Sequence, residues 1–268
     1  MKKLIFLDID GTMIVSGRPP SEAVAAAIRA ARANGHKVFL STGRLEANIP
    51  ENIRSVGFDG GIYSAGGRAV VNGREILNRF MPAELVRQVT DLLREWELFF
   101  FLENASGTYM GGDRFPSWFK PEWIHIMTNE LHVLPRDQMP EHDPVYKVVF
   151  YTREKAQAER LGQRLNAVAR VVCFNHVRKD RPAASGEISD WSIDKGTALN
   201  CICRHLDSDP EDCIAFGDSM NDLEILQAAG LGIAMGNADE GLIQMADQVC
   251  ERCDEDGVAK AFARLDLI

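Results

Sequence analysis

Short apolar runs alternate with helical periodicity along the first third of the chain. Leu4-Ile5-Phe6-Leu7 is unbroken apolar, the pattern of a strand covered on both faces in a parallel sheet. Pro19-Pro20-Ser21 leads an alanine-rich helix from Ala23 to Ala33, with Ser21 as its N-cap and Gly35 as its stop. His36 to Arg44 reads as a second strand, closing in Ser41-Thr42-Gly43-Arg44. Strand, helix and strand at this spacing predict a βαβ unit with parallel strands. Phe58 to Ala65 predicts another strand, with Gly66-Gly67 at its end.

The rhythm changes after Pro82. Leu85, Val86, Val89, Leu92, Leu93 and Trp96 repeat at helical spacing, and Leu98 to Leu102 reads as a strand. Asn104-Ala105-Ser106-Gly107 predicts a hairpin turn returning through Tyr109. Phe115 to Trp123, aromatic-rich and broken by Pro116 and Pro121, predicts a loop or short helices. Val145 to Thr152 predicts a strand, Arg153 to Val168 a helix, and Val171 to Val177 and Glu187 to Trp191 further strands. Without crossovers, these elements suggest a separate α+β module at 83–187.

The crossover rhythm returns at Asp194-Lys195-Gly196, which leads a helix with Leu199, Ile202, Cys203 and Leu206 in one stripe. Cys213 to Phe216 is a strand opening into Gly217-Asp218-Ser219-Met220-Asn221-Asp222. A helix follows to Gly230, then a strand from Gly232 to Asn237. The fold class is α/β: a parallel-sheet core over 1–82 and 188–268, split by the inserted module.

Composition fits this picture. The 268 residues suggest two domains, at roughly 150 residues each, and 46% hydrophobic with 26% charged residues is ordinary for a globular protein. Thirty basic against 39 acidic residues leave a net charge of −9, a poor match to nucleic acid or an anionic membrane. Met1-Lys2-Lys3 before Leu4 to Leu7 imitates a signal peptide, but Asp8 and Asp10 end the apolar run too early. No apolar stretch approaches membrane-spanning length, so the expected location is cytoplasmic. Cys250-x-x-Cys253 has zinc spacing but lacks a second pair, and reduced thiols are the preferred reading of all six cysteines.

The candidate chemistry lies at strand ends. Asp8 and Asp10, two residues apart, lean to one side of an extended chain. Close carboxylates repel, and hard oxygens at a strand end suit Mg²⁺; an acidic turn is the plainer alternative. Parallel strands bring Asp8, Asp10, Thr42, Asp218 and Asp222, with Lys195 from a helix start, to one carboxyl edge. Ligands bind at that edge in open α/β sheets. Singly, Thr42-Gly43 reads as a turn and Lys195 as a solvated side chain, and for Asp218 to Asp222 an N-cap with first-turn acids is the plain alternative. Together they offer a nucleophile, a metal site, a proton carrier and cationic cover for phosphate.

Four motifs in order make the chain resemble the haloacid dehalogenase-like hydrolase superfamily, specifically Cof-type phosphatases with a large α+β cap. They are Asp8-Ile9-Asp10-Gly11-Thr12, Ser41-Thr42-Gly43-Arg44, Asp194-Lys195-Gly196 and Gly217-Asp218-Ser219-Met220-Asn221-Asp222. Ala234-Met235-Gly236-Asn237-Ala238 and Asp254-Glu255-Asp256-Gly257-Val258 resemble the family's closing segments. The resemblance implies a Rossmann-like core with the module at 83–187 as its cap. It implies Asp8 as nucleophile, forming an aspartyl-phosphate, and Asp10 as general acid and base. It further implies Mg²⁺ between the Asp8 carboxylate, the Asp10 backbone carbonyl and Asp218. Phosphate would be held by Thr42, Gly43, Lys195 and Asn221, with Asp222 ordering the metal shell or Lys195.

The chain departs from the family at two places. Where many relatives read Ser-x-Asn-Gly-Ala, it has Ser64-Ala65-Gly66-Gly67-Arg68, which removes a polar contact and adds a cation. Arg68 is read as an ordinary surface arginine, with a substrate contact as the alternative. Ile243 stands where relatives often carry a lysine. The implied cap closes over the edge and selects the leaving group. Phe115, Trp118, Phe119 and Trp123 either line that lid or form the module's own core or a dimer contact, and the second is favoured. His125, His132 and His142 receive no role.

The resulting expectation is a Mg²⁺-dependent phosphomonoesterase acting on a small phosphorylated metabolite, a sugar phosphate foremost, as a monomer or homodimer. A related sugar-phosphate-specific phosphatase or phosphomutase stands second. A receiver-type phosphoacceptor also combines Asp, Thr, Lys and Mg²⁺, but is much shorter and has no insert. An inactive binding protein would not be expected to keep every acid.

Overall fold

A computed structural model describes residues 2–15, 18–129, 131–175 and 184–268. In chain order the elements are β1 (Leu4–Leu7), α1 (Glu22–Ala33), β2 (Lys37–Ser41), α2 (Glu51–Arg54), β3 (Gly60–Tyr63), β4 (Arg68–Val71) and β5 (Arg74–Asn78). Then come α3 (Ala83–Glu95), β6 (Phe99–Asn104), β7 (Thr108–Met110), α4 (Pro121–Asn129), β8 (Val133–Leu134), β9 (Val145–Thr152), α5 (Lys155–Leu165), β10 (Arg170–Asn175) and β11 (Ala184–Ser189). The chain closes with α6 (Lys195–His205), β12 (Cys213–Gly217), α7 (Leu223–Ala228), β13 (Leu231–Ala234), α8 (Glu240–Met245), β14 (Gln248–Val249) and α9 (Gly257–Arg264).

Contacts divide the chain into two units, Met1–Asn78 with Asp194–Ile268, and Arg79–Ile193. The first holds an eight-stranded sheet in the order β14-β13-β12-β1-β2-β3-β4-β5. Pairing is parallel from β14 to β3 and antiparallel at β4 and β5. Strand β1 shows why its sequence is apolar throughout. Ile5 and Leu7 face the core that holds α1 and α9, through Val24, Ile28, Val258 and Phe262. Leu4 and Phe6 face the opposite core, with Leu199 and Ile202 of α6 and Ile225 and Leu226 of α7. Phe6 stacks on Phe39 at 5.2 Å between centroids. The expected cap of α1 is present: Ser21 Oγ accepts from the Val24 N–H at 3.1 Å.

The β4–β5 hairpin was not among the expected elements. Its turn is Asn72-Gly73, and both residues have positive φ, +49° and +76°. That dipeptide suits a two-residue hairpin turn between the flanking strands.

The second unit is a six-stranded sheet in the order β10-β11-β9-β6-β7-β8. It is antiparallel except between β7 and β8. Phe100 and Leu102 of β6 pack with α3 and α5 on one face. Phe99 and Phe101 meet Phe115, Trp118, Phe119 and Trp123 on the other, so these rings build the unit's own core.

One expected strand shifts here. The strand placed at Glu187 to Trp191 runs from Ala184 to Ser189, because Ala184 to Ile188 pair with β9 and Trp191 is 56% exposed. Met81, Ile188 and Ile193 lie in the second unit's core, so the contact division falls outside 83–187 at both ends. The strand expected at Val171 to Val177 is described from Arg170 to Asn175, and residues 176 and 177 lie outside the described residues. Among the described residues no helix is long and apolar enough to cross a membrane.

Candidate active site

Strand β1 ends at Leu7, and the Asp8 N–H still donates to Phe216 O of β12 at 3.1 Å. The chain then turns: the N–H groups of Met13 and Ile14 both donate to Ile9 O. Gly11 makes the turn possible at φ +89°, packed so closely that a Cβ there would lie 2.1 Å from Asp218 Oδ2. Thr12 Oγ1 donates to Asp218 Oδ1 at 3.3 Å. Asn237, beyond β13, donates from Nδ2 to Gly11 O at 2.7 Å and accepts from the Cys253 N–H at 2.8 Å. Asn237 therefore clamps the loop after Asp10. Its position in a closing motif was the only sequence signal for that role.

Asp218 and Asp222 leave the end of β12. Asp222 Oδ2 accepts from the N–H groups of Asp218 and Ser219 at 3.1 and 3.2 Å, half of a capping box that Ser219 completes. Its other oxygen, Oδ1, takes Lys195 Nζ at 2.5 Å. Lys195 is the first residue of α6, whose N-cap Asp194 accepts from the Thr197 N–H at 2.7 Å. Its ammonium also donates to Asp8 Oδ1 at 2.9 Å. Lys195 and Asp222 are fully buried and Asp8 nearly so. The structure thus brings Asp8, Lys195, Asp218 and Asp222 together, and the plain reading of Lys195 as a solvated side chain is overturned.

Thr42, at the end of β2, is buried, and its Oγ1 accepts from the Arg44 N–H at 3.1 Å. Gly43 lies between them. Asn221 is buried and accepts from Ser219 Oγ at 2.8 Å. The loop after β3 carries three successive positive φ values, at Ser64, Ala65 and Gly66. Ser64 N–H donates to Arg44 O and Ala65 N–H to Thr42 O, and a Cβ on Gly66 would lie 2.1 Å from Asp194 O. This left-handed segment brackets the Thr42 loop against the start of α6, a role with no polar signature in the sequence. Arg68 pairs with Glu46 and Glu75.

Asp10 stands apart from the carboxylate cluster. Arg44 Nε donates to its Oδ2 and Nη2 to its Oδ1, each at 2.7 Å. Sequence reasoning gave Arg44 no role.

Electrostatics show what the cluster asks for. Burial pushes the Asp8 carboxyl up to about 7, against the pull of Lys195, and the charges of Asp222 and Asp10 add to the rise. Burial, then the charges of Asp8 and Asp222, push Asp218 up to about 9. Burial works against the Lys195 ammonium, yet Asp222 and Asp8 hold its proton more tightly than usual. One ammonium thus serves three carboxylates. Among the described residues, Asp8, Asp218 and Asp222 offer ligand oxygens within 4.8 Å of one another. Both Asp222 oxygens are already engaged by Lys195 and the backbone, which leaves Asp8 and Asp218 as the carboxylates for a cation. Hard oxygen donors with two available carboxylates fit Mg²⁺.

The comparisons with known proteins agree with this geometry. The pattern of haloacid dehalogenase-like hydrolases matches residues 5–262. An HMP-PP phosphatase of Yersinia enterocolitica is 28% identical over 270 residues, covering 97% of this chain and 93% of its own. A 5-amino-6-(5-phospho-D-ribitylamino)uracil phosphatase of Bacillus subtilis is 26% identical over 263 residues, covering 97% and 94%. A chloroplastic Arabidopsis thaliana protein carrying an endoribonuclease name is 29% identical over 97% of this chain, which spans 46% of that longer protein. A solved phosphatase of the superfamily from Bacteroides thetaiotaomicron has a TM-score of 0.81 at 26% identity, covering 100% of this chain and 96% of its own. The match runs through all four motifs, and the chain belongs to the haloacid dehalogenase-like hydrolase family, among relatives named as phosphatases.

Proposed function

We infer that the protein is a cytoplasmic, Mg²⁺-dependent phosphomonoesterase that works through an aspartyl-phosphate on Asp8. The observation that carries this reading is Lys195 Nζ, buried and bonded to both Asp8 and Asp222, beside the Asp218 carboxylate. Asp8 attacks phosphorus and the bond to the leaving oxygen breaks, while Asp10 supplies that oxygen with a proton. Asp10 then takes a proton from the water that attacks the aspartyl-phosphate, releasing inorganic phosphate and Asp8. Two of the three Lys195 donors are engaged, and the third, with Thr42, Gly43 and Asn221, holds the phosphoryl oxygens. Asp222 fixes Lys195 and the loop after β12. A cation held by Asp8, Asp218 and the Asp10 backbone carbonyl would neutralise charge at the phosphate.

Small phosphorylated metabolites are the substrate class, sugar phosphates first among them. The names of the Yersinia and Bacillus relatives support that breadth. The inserted unit, as a cap, selects the leaving group. Phosphate release measured across phosphorylated metabolites tests the function: activity should vanish with a chelator and return on adding Mg²⁺. Full activity in metal-free buffer would contradict the reading.

A further inference from the structure

Arg44 engages both carboxylate oxygens of Asp10 with two nitrogens of one guanidinium, each at 2.7 Å. A bidentate pair fixes the plane of a carboxylate as well as its distance, which a single ammonium cannot do. The backbone of Arg44 is pinned at both ends. Its N–H donates to Thr42 Oγ1 at 3.1 Å and its carbonyl accepts from the Ser64 N–H at 2.9 Å. The left-handed turn at Ser64 and Ala65 fixes that second contact, since Ala65 also donates to Thr42 O. The guanidinium is thus presented by the same loop that carries Thr42, and its pair with Asp10 joins that loop to the one after β1. The Asp10 side chain is 40% exposed and outside the buried cluster, so packing alone does not set its direction.

We propose that Arg44 is the positioning residue for Asp10, setting the direction from which that carboxylate exchanges protons with the leaving oxygen and with water. Proton transfer needs one Asp10 oxygen released from its Arg44 bond. The second bond keeps the carboxylate oriented while the first is exchanged for the leaving oxygen. Arg44 therefore acts on the steps that need a proton, and less on attack by Asp8. The inference rests on the reading of Asp10 as proton carrier.

The test compares Arg44→Ala and Arg44→Lys on two probes, p-nitrophenyl phosphate and glycerol 2-phosphate. Nitrophenolate leaves without a proton and the glycerol alkoxide does not. For Arg44→Ala, kcat on glycerol 2-phosphate should fall by about 10²–10³-fold, within the span of general acid–base effects. The nitrophenolate burst should slow by less than about fivefold, and the p-nitrophenyl phosphate concentration that half-saturates the burst rate should move by less than about threefold. Added guanidinium should restore at least about tenfold of the lost alkyl activity. Arg44→Lys, which keeps the charge, should recover only part of it. A nitrophenolate burst slowed as much as glycerol 2-phosphate turnover, no loss of that turnover, or full recovery in Arg44→Lys would overturn the inference while leaving the phosphatase reading intact. A poorly folded Arg44→Ala leaves Arg44→Lys to decide on the same criterion. A wild type that forms no phosphoenzyme would overturn the inference together with the reading beneath it.

Discussion

A methyl group on Gly11 would meet Asp218 Oδ2 at 2.1 Å, at a φ of +89° that L side chains rarely adopt. Gly35 has nearly the same φ, +90°, but the nearest atoms to its added Cβ belong to the flexible Lys2 side chain, from 3.0 Å. Both Gly→Ala changes carry backbone strain of about 1–2 kcal/mol. Only Gly11→Ala also displaces a carboxylate assigned to the cation. Gly11→Ala should weaken Mg²⁺ binding by at least about tenfold in calorimetry and reduce turnover with it. Gly35→Ala should lower stability while leaving Mg²⁺ affinity unchanged. Equal Mg²⁺ affinity in both variants would remove Asp218 from the cation site. The motifs made Asp8, Lys195, Asp218 and Asp222 legible because each is a charged residue where a strand or helix meets a loop. Arg44 and Asn237 were not legible as partners. Their roles depend on loops brought together across 34 and 226 residues of sequence.

Strand β6 carries the second unit's buried charge. Glu103 faces Lys147 of β9 in register, and Lys147 Nζ lies 3.6 Å from Glu103 Oε2 and is bonded to Glu187 Oε1 of β11. Burial, opposed by Lys147 and reinforced by Glu187, pushes Glu103 up to about 7. The folded protein therefore holds a proton on Glu103 that the unfolded chain, near 4.5, has released between those pH values. Stability from this group is present below about 4.5 and is lost as pH rises through 7. Glu103→Gln should stabilise the second unit at pH 8 by up to roughly 3 kcal/mol, the free-energy equivalent of the shift, and by little at pH 5. Urea unfolding followed through the aromatic signal of Phe99, Phe119 and Tyr151 at both pH values measures it. A pH-independent difference would show that Glu103 stays ionised in the fold. Element by element, the longer strands and helices followed the hydrophobic pattern, while β8, α8, β14 and α9 were not expected from it. The β4–β5 hairpin was missed because its exposed β5 lacks a strong apolar face, although Asn72-Gly73 announced the turn.

Across the whole molecule, the parallel sheet was readable because each central strand is covered on both faces and so written as an unbroken apolar run. The edges of the insert were less so. Met81 and Ile193 belong to the second unit through packing between distant segments, which no local pattern records. What the sheet accomplishes is to place Asp8 at one edge with Lys195, 187 residues further along the chain, and with Asp218 and Asp222 beyond it. The central claim is that this edge transfers a phosphoryl group to Asp8. Asp10→Asn mixed with labelled p-nitrophenyl phosphate and quenched in acid should release about one nitrophenolate per chain in a burst, then stall. Its label should map to Asp8, and Asp8→Asn should show neither burst nor label. Label on another residue, or steady turnover by Asp8→Asn, would contradict the account.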